Sequence, residues 1–190
     1  DNHVERDRDR PLDQRVLALD DELRGGSGND LLLDSAGQDS LDGGKGNDLL
    51  LGLKGGAGAR ELYVGGVGAD RIALAHGDGA ALDIRGGSLN GKDRAVDLIT
   101  LVGTRGALDF SATVLDFELG KDRIDLSQLR DASNKRMALD DLVFVSNGGD
   151  TTVTFAPGVH TISGYAVAVE ITLVGVVGLT AQAFSFGNPA

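Results

Sequence analysis

The sequence predicts an all-β protein, a parallel β-roll made of two stacked sheets, followed by a β-rich C-terminal cap. Three observations carry this expectation. A nine-residue motif recurs between residues 25 and 73, glycine fills 29 of 190 positions, and the second half holds short alternating runs of β-branched residues punctuated by turn residues. The glycine share is roughly twice the ordinary one, yet no Gly-X-Y period runs through it, which excludes a collagen-like chain. With 41% apolar residues the chain can build one medium-sized core and is too apolar for disorder.

The repeat is most visible in Gly25-Gly26-Ser27-Gly28-Asn29-Asp30 followed by three leucines, which returns 18 residues later as Gly43-Gly44-Lys45-Gly46-Asn47-Asp48 with three more. Between them, residues 34–42 keep Gly37, Asp39 and Leu41 at the fourth, sixth and eighth places, so the period is nine. Residues 55–63 and 65–73 add two further copies out of strict step, the second opening on Gly65-Gly66-Val67-Gly68 and reaching Asp70. Each unit is a glycine turn and a short strand that cannot bury its own face, so stacking is obligatory. Two units make one coil, turns 18 residues apart lie above one another, and Leu32, Leu41, Leu50, Leu62 and Ile72 are expected between the two sheets. A single Gly-Asn-Asp reads as an ordinary Asx or type I′ turn; three aligned copies favour a built column. A phosphate-binding loop is excluded, because no Gly-Lys-Ser/Thr follows and a nine-residue unit leaves no room for a crossover helix.

These residues resemble the RTX family, the calcium-binding nonapeptide modules of type I secreted bacterial proteins. The resemblance implies Ca²⁺, two or more ions, held between stacked turns by backbone carbonyls and a sixth-position carboxylate. Residue by residue it implies ligands at Gly25, Gly26, Ser27, Gly28 and Asp30, at Gly43, Gly44, Lys45, Gly46 and Asp48, and at Gly65, Gly66, Val67, Gly68 and Asp70, with two ions on this edge. The opposite edge departs from the pattern. Asp39 is present, its lower neighbour keeps Asp21 without the glycines, and its upper neighbour has Arg60 at the sixth place. That edge is expected to be calcium-poor, with Arg60 either binding Asp39 in place of an ion or pointing to water.

Upstream, Leu12, Val16, Leu19 and Leu23 fit an amphipathic capping helix after Pro11, and residues 16–24 fit a worn first repeat equally well. Residues 1–10 alternate acidic and arginine residues and read as a solvated linker, with no secretory signal peptide. The expected organisation is therefore a linker or N-terminal cap over 1–15, the roll over 16–75 and the cap over 76–190. Downstream, residues 114–127 resemble a second stretch that follows the repeats in RTX proteins. Within it Asp116 and Asp122 flank a Gly turn and read either as calcium ligands or as salt-bridge partners of Lys121 and Arg123. A hairpin is expected over 142–155 and further strands over 159–162 and 166–174. The resemblance places an uncleaved secretion signal near Leu179–Phe186, read by the ABC transporter of a type I secretion apparatus.

A formal charge of −11 disfavours nucleic acid and anionic membranes and points to cations as ligands. No apolar run approaches the roughly 20 residues of a transmembrane helix, and with no cysteine there are no disulfides. His3, His76 and His160 are scattered, and no metalloprotease, serine-hydrolase or cysteine-nucleophile motif exists, so catalysis is not expected within these residues. The function expected is a secreted, extracellular calcium-binding module that folds on meeting calcium. The alternative is a calcium-rigidified binder of an anionic polysaccharide or cell-surface partner, using Arg71, Arg85, Lys92 and Arg94.

Overall fold

The leucine triplet after the first glycine turn alternates exposed, buried, exposed, as a strand with one face on a core must. The computed structural model describes residues 3–5, 20–34, 36–53, 58–89, 93–103 and 106–187. In chain order the strands are β1 (His3–Glu5), β2 (Glu22–Ser27), β3 (Leu31–Leu33), β4 (Ser40–Lys45), β5 (Leu49–Gly52), β6 (Arg60–Val67), β7 (Arg71–Leu74), β8 (Gly77–Arg85) and β9 (Leu98–Leu101). There follow β10 (Leu108–Val114), β11 (Arg123–Asp125), β12 (Leu129–Arg130), β13 (Leu142–Asn147), β14 (Asp150–Phe155), β15 (His160–Thr161), β16 (Val167–Leu173) and β17 (Phe184–Ser185).

From β2 to β11 the chain lays strands alternately in two sheets, so each coil adds one rung to both. The first sheet runs β1-β2-β4-β6-β8-β10-β16-β14-β13 and the second β17-β11-β9-β7-β5-β3. All pairs of the second sheet are parallel, as are those of the first from β2 to β16. The core lies between the sheets: Leu32, Leu41, Leu50 and Ile72 are buried, and the same layer continues through Ile84, Ile99, Phe110 and Ile124. The fold is the expected all-β roll with a mixed C-terminal part.

Parallel stacking does not stop at residue 75. β8, β9, β10 and β11 continue both sheets, and β16 and β17 extend them further. In the C-terminal part antiparallel structure enters with the separate β12–β15 pair, with β14 against β16 and with the β13–β14 hairpin, whose Gly148-Gly149 turn has φ of 62° and 103° as a two-residue primed turn requires. At the other end, β1 pairs antiparallel with β2 where a linker was expected. Leu23 lies in β2, a strand and not a helix, so the worn-repeat reading holds for the part of that segment in view; residues 11–19 lie outside the described residues.

The buried residue beside Leu41 is Tyr63, not Leu62, which is only partly buried. Rungs β2 and β4 are offset by 18 residues, whereas β4 and β6 are offset by 22, because the intervening loop is longer. Counting nine-residue units through that loop misplaces β6 by one residue. Arg60 falls with it: its Nε and Nη2 donate to Asp83 Oδ2 at 2.9 and 2.7 Å on an exposed face. The expected Arg60–Asp39 staple is therefore corrected. Glu61 takes the place above Asp39, its Oε2 accepting the Asp39 N–H at 3.3 Å.

Candidate metal centre

Three glycine turns stack as the repeat requires. Gly26, Gly44 and Gly66 are rung partners, and the N–H groups of Gly28 and Gly46 donate to the carbonyls of Lys45 and Val67, each at 2.8 Å. The opening residues 25–27, 43–45 and 65–67 remain extended within the first sheet, and the chain turns only at the following three. Gly46 and Gly68 sit at φ of 134° and 136°, a region open to glycine and strained for residues with a Cβ.

The carboxylates form a ladder along this edge. Asp48 Oδ1 accepts the N–H of Asp30 at 2.7 Å, Asp70 Oδ1 that of Asp48 at 2.7 Å, Asp97 Oδ1 that of Asp70 at 2.9 Å, and Asp122 Oδ1 that of Asp97 at 3.1 Å. One oxygen of each is thus spent on fixing the coil below. The second oxygens of Asp30, Asp48 and Asp70 are buried without a hydrogen-bond partner. Burying an unpaired carboxylate oxygen is costly, and a cation placed among these three would offset that cost.

Glycine at the first turn position makes room for these oxygens. A Cβ on Gly25 would lie 2.5 Å from the Gly43 carbonyl oxygen and 2.8 Å from Asp30 Oδ2; on Gly43, 2.4 Å from the Gly65 oxygen and 2.5 Å from Asp48 Oδ2; on Gly65, 2.3 Å from the Gly86 oxygen and 2.6 Å from Asp70 Oδ2. Carboxylate and carbonyl oxygens from successive coils therefore converge at each step. Such an all-oxygen donor set matches Ca²⁺, which takes six to eight hard oxygens in flexible geometry.

Without a cation these carboxylates hold protons unusually well. Burial pushes Asp70 up to about 6 and Asp97 up to about 7, the backbone N–H bond to each partly offsetting it and neighbouring carboxylates adding to it. Asp48 and Asp122 are raised for the same first reason, burial. A raised folded-state carboxyl contributes stability that is complete below the unfolded value near 3.9 and lost as pH rises through the folded value. Calcium-free protein is therefore expected to retain most β-structure near pH 4 and to lose it between about pH 5 and 8, followed by circular dichroism in chelator. A calcium-free signal independent of pH would contradict the buried ladder.

Asp97 and Gly86 belong to this edge although the repeat count passed over them. The signal was present in Gly86-Gly87 and in Asp97-Leu98-Ile99, which echoes Asp30-Leu31-Leu32, but a longer turn separates the two halves. Asp116 and Asp122 spend their oxygens on backbone: Asp116 Oδ1 and Oδ2 accept from Gly86 and Gly87 at 3.0 and 3.1 Å, and Asp122 Oδ2 accepts from Glu118 at 2.6 Å. Lys121 pairs with Glu118 at 3.2 Å. On the opposite edge Asp39 Oδ1 accepts the Asp21 N–H at 2.8 Å, so Asp21, Asp39 and Glu61 form a shorter ladder. Arg71 opens β7 and Arg85 closes β8, one in each sheet; Lys92 lies outside the described residues.

The AlgE6R3 subunit of the Azotobacter vinelandii mannuronan C5-epimerase is similar at 25% identity over 98% of this chain and 86% of that one, with a TM-score of 0.47. The AlgE6R2 subunit of the same epimerase is similar at 22% identity over 88% and 93%, with a TM-score of 0.31. The comparison with curated proteins gives no match. The RTX calcium-binding nonapeptide repeat family matches residues 18–52 in four copies, the segment that supplies Asp30, Asp48 and their glycine turns. Residues 18–52 of this chain carry RTX calcium-binding nonapeptide repeats.

Proposed function

We propose that calcium is the folding switch of this chain, so that it stays unfolded where calcium is scarce and folds outside the cell, supporting type I secretion and the stability of its parent protein. The observation that supports this reading is the set of three buried, unpartnered oxygens on Asp30, Asp48 and Asp70, each beside a glycine cradle and a carbonyl of the next coil. Bound there, calcium supplies the positive charge that the column lacks. The protein's own residues do the rest. The Oδ1 atoms hold the coils in register, the glycines admit the close approach, and the leucine layer between the sheets collapses once the turns are ordered.

With calcium absent, the turns lose much entropy on ordering and the carboxylates repel one another, so the unfolded chain is favoured and passes through a narrow channel. Sites of the extracellular type, with dissociation constants of about 10⁻⁴ to 10⁻³ M, fill only outside. We assign one ion to each of the three cradles, one more than the count of stacked turns suggests, because Gly86 closes a step above Gly65. Residues 179–186 are the part proposed to engage the ABC transporter.

Asp48 stands between two cradles, whereas Asp39 lies on the edge poor in glycine. Asp48→Asn is therefore expected to raise the calcium midpoint of folding by about tenfold or more and Asp39→Asn by much less, read by circular dichroism during calcium titration. Equal shifts would show that the two edges contribute alike and would overturn the assignment.

A further inference from the structure

We propose a second metal site, chemically distinct from the calcium column, in which Asp34, Glu61, His76 and Tyr63 bind one zinc-type divalent ion inside the roll. The four side chains come from three coils. Asp34 follows β3, Glu61 and Tyr63 lie on β6, and His76 follows β7. All four are buried, with relative exposures of 4%, 0%, 0% and 0%, and one ligand atom from each of Asp34, Glu61 and His76 lies within 4.8 Å of the others.

The fold goes out of its way to make this meeting. Tyr63 stands in a rung column whose neighbours are Leu23, Leu41 and Ile84, so a hydroxyl enters a layer that is otherwise apolar. Between Asp34 and the β7 end, the second sheet carries Gly52, where a Cβ would lie 2.7 Å from His76 Nε2 and 2.8 Å from Tyr63 Oη. The missing side chain is the space the cluster occupies. Phe110 packs edge-on against His76 at a centroid distance of 6.0 Å and shields it.

The donor set selects the metal. Tyr63 Oη lies 3.1 Å from His76 Nε2 and 3.2 Å from Glu61 Oε2 and hydrogen-bonds Asp34 Oδ2, while His76 Nε2 is 3.8 Å from that oxygen. Donors at about 2.1 Å from a four-coordinate zinc are separated by about 3.4 Å, so three of these spacings need only small adjustment, while the Tyr63–Asp34 hydrogen bond has to open for the ion to enter. Calcium and magnesium prefer six or more oxygens, whereas imidazole with carboxylate suits zinc and its first-row neighbours. The ion also answers a charge problem. Two buried carboxylates meet one phenol and one imidazole with a third buried carboxylate, Asp39, beside them, and burial pushes Asp34 up to about 8, its hydrogen bond to Tyr63 partly offsetting the rise and Glu61 and Asp39 adding to it. Because three coils must stack first, loading occurs during folding, and the burial of all four side chains then retains the ion.

The test uses the full chain folded in calcium with Zn²⁺ present and then desalted into calcium buffer. One zinc per chain is expected by elemental analysis, and His76→Gln should retain less than about a tenth of it, with its calcium-dependent circular dichroism unchanged. No zinc in the wild type would mean that the Tyr63 hydroxyl alone closes the cluster, and equal zinc in both chains would place the metal on the surface; either result overturns the site. Should His76→Gln fail to fold, Co²⁺ loaded into the wild type decides. Visible bands of four-coordinate cobalt and paramagnetic shifts at the His76 and Tyr63 rings are expected, and the spectrum of six-coordinate aqueous cobalt would refute the proposal.

Discussion

Chelating calcium from the folded protein is expected to abolish most of its β-signal and expand its hydrodynamic radius, and millimolar calcium, but not magnesium, should restore both. Each site held at about 100 times its dissociation constant adds roughly 2.7 kcal/mol. Three such sites contribute about 8 kcal/mol, comparable to the whole stability of an ordinary domain, about 5–15 kcal/mol. Their removal therefore leaves little margin, and it also exposes the repulsion among Asp30, Asp48, Asp70 and Asp97, which follow one another rung by rung. Magnesium fails because it demands a tight octahedron and gives up water reluctantly, whereas the cradle offers backbone carbonyls on flexible turns. Circular dichroism and light scattering across a calcium titration measure the effect; a chelated chain with unchanged spectrum and radius would sink the switch.

The second large effect concerns one methyl group. Gly46→Ala would set a Cβ 1.9 Å from the Gly28 carbonyl oxygen and 2.5 Å from its carbon, at a φ of 134°. Both contacts are backbone of the coil below, so no side chain can swing away. The two coils have to separate, and the separation opens the Asp30–Asp48 rung and the cradle next to it. A loss above about 4 kcal/mol, or failure to fold at ordinary calcium, is expected. Gly28→Ala is the control: it has a comparable φ of 115° but no described atom within 4 Å of the added Cβ, leaving only backbone strain of about 1–3 kcal/mol. Urea unfolding in saturating calcium compares the two. Equal losses would show that conformational strain, and not the closeness of the coils, decides what these positions tolerate.

The contrast between the two glycines also shows how far the linear pattern reaches. The repeat named both as turn glycines, and the structure gives both positive φ. Only stacking distinguishes them, because what presses on Gly46 is a carbonyl 18 residues away in the chain. The same division runs through the rest of the molecule. The all-β roll, the burial of Leu32, Leu41, Leu50 and Ile72, the vertical column of Asp30, Asp48 and Asp70, and the hairpin at Gly148-Gly149 were legible because each follows from a short local motif or a constant offset.

What the chain order could not convey is where the offset changes. Sheet stacking counts hydrogen-bonded rungs, and a loop of almost any length can be extruded between two rungs at small entropic cost. Four extra residues between β4 and β6 therefore slid Glu61 and Tyr63 into the interior and turned Arg60 outward to Asp83, and a longer turn after Gly86 hid Asp97 from the nine-residue count. The meeting of Asp34, Glu61, Tyr63 and His76 carries no motif at all. The nonapeptide by itself determined the roll, its leucine layer and its carboxylate column, since these repeat with the chain. The interior cluster was decided only by tertiary structure, since four residues spread over 43 positions become neighbours only when three coils are stacked and Gly52 leaves the space between them.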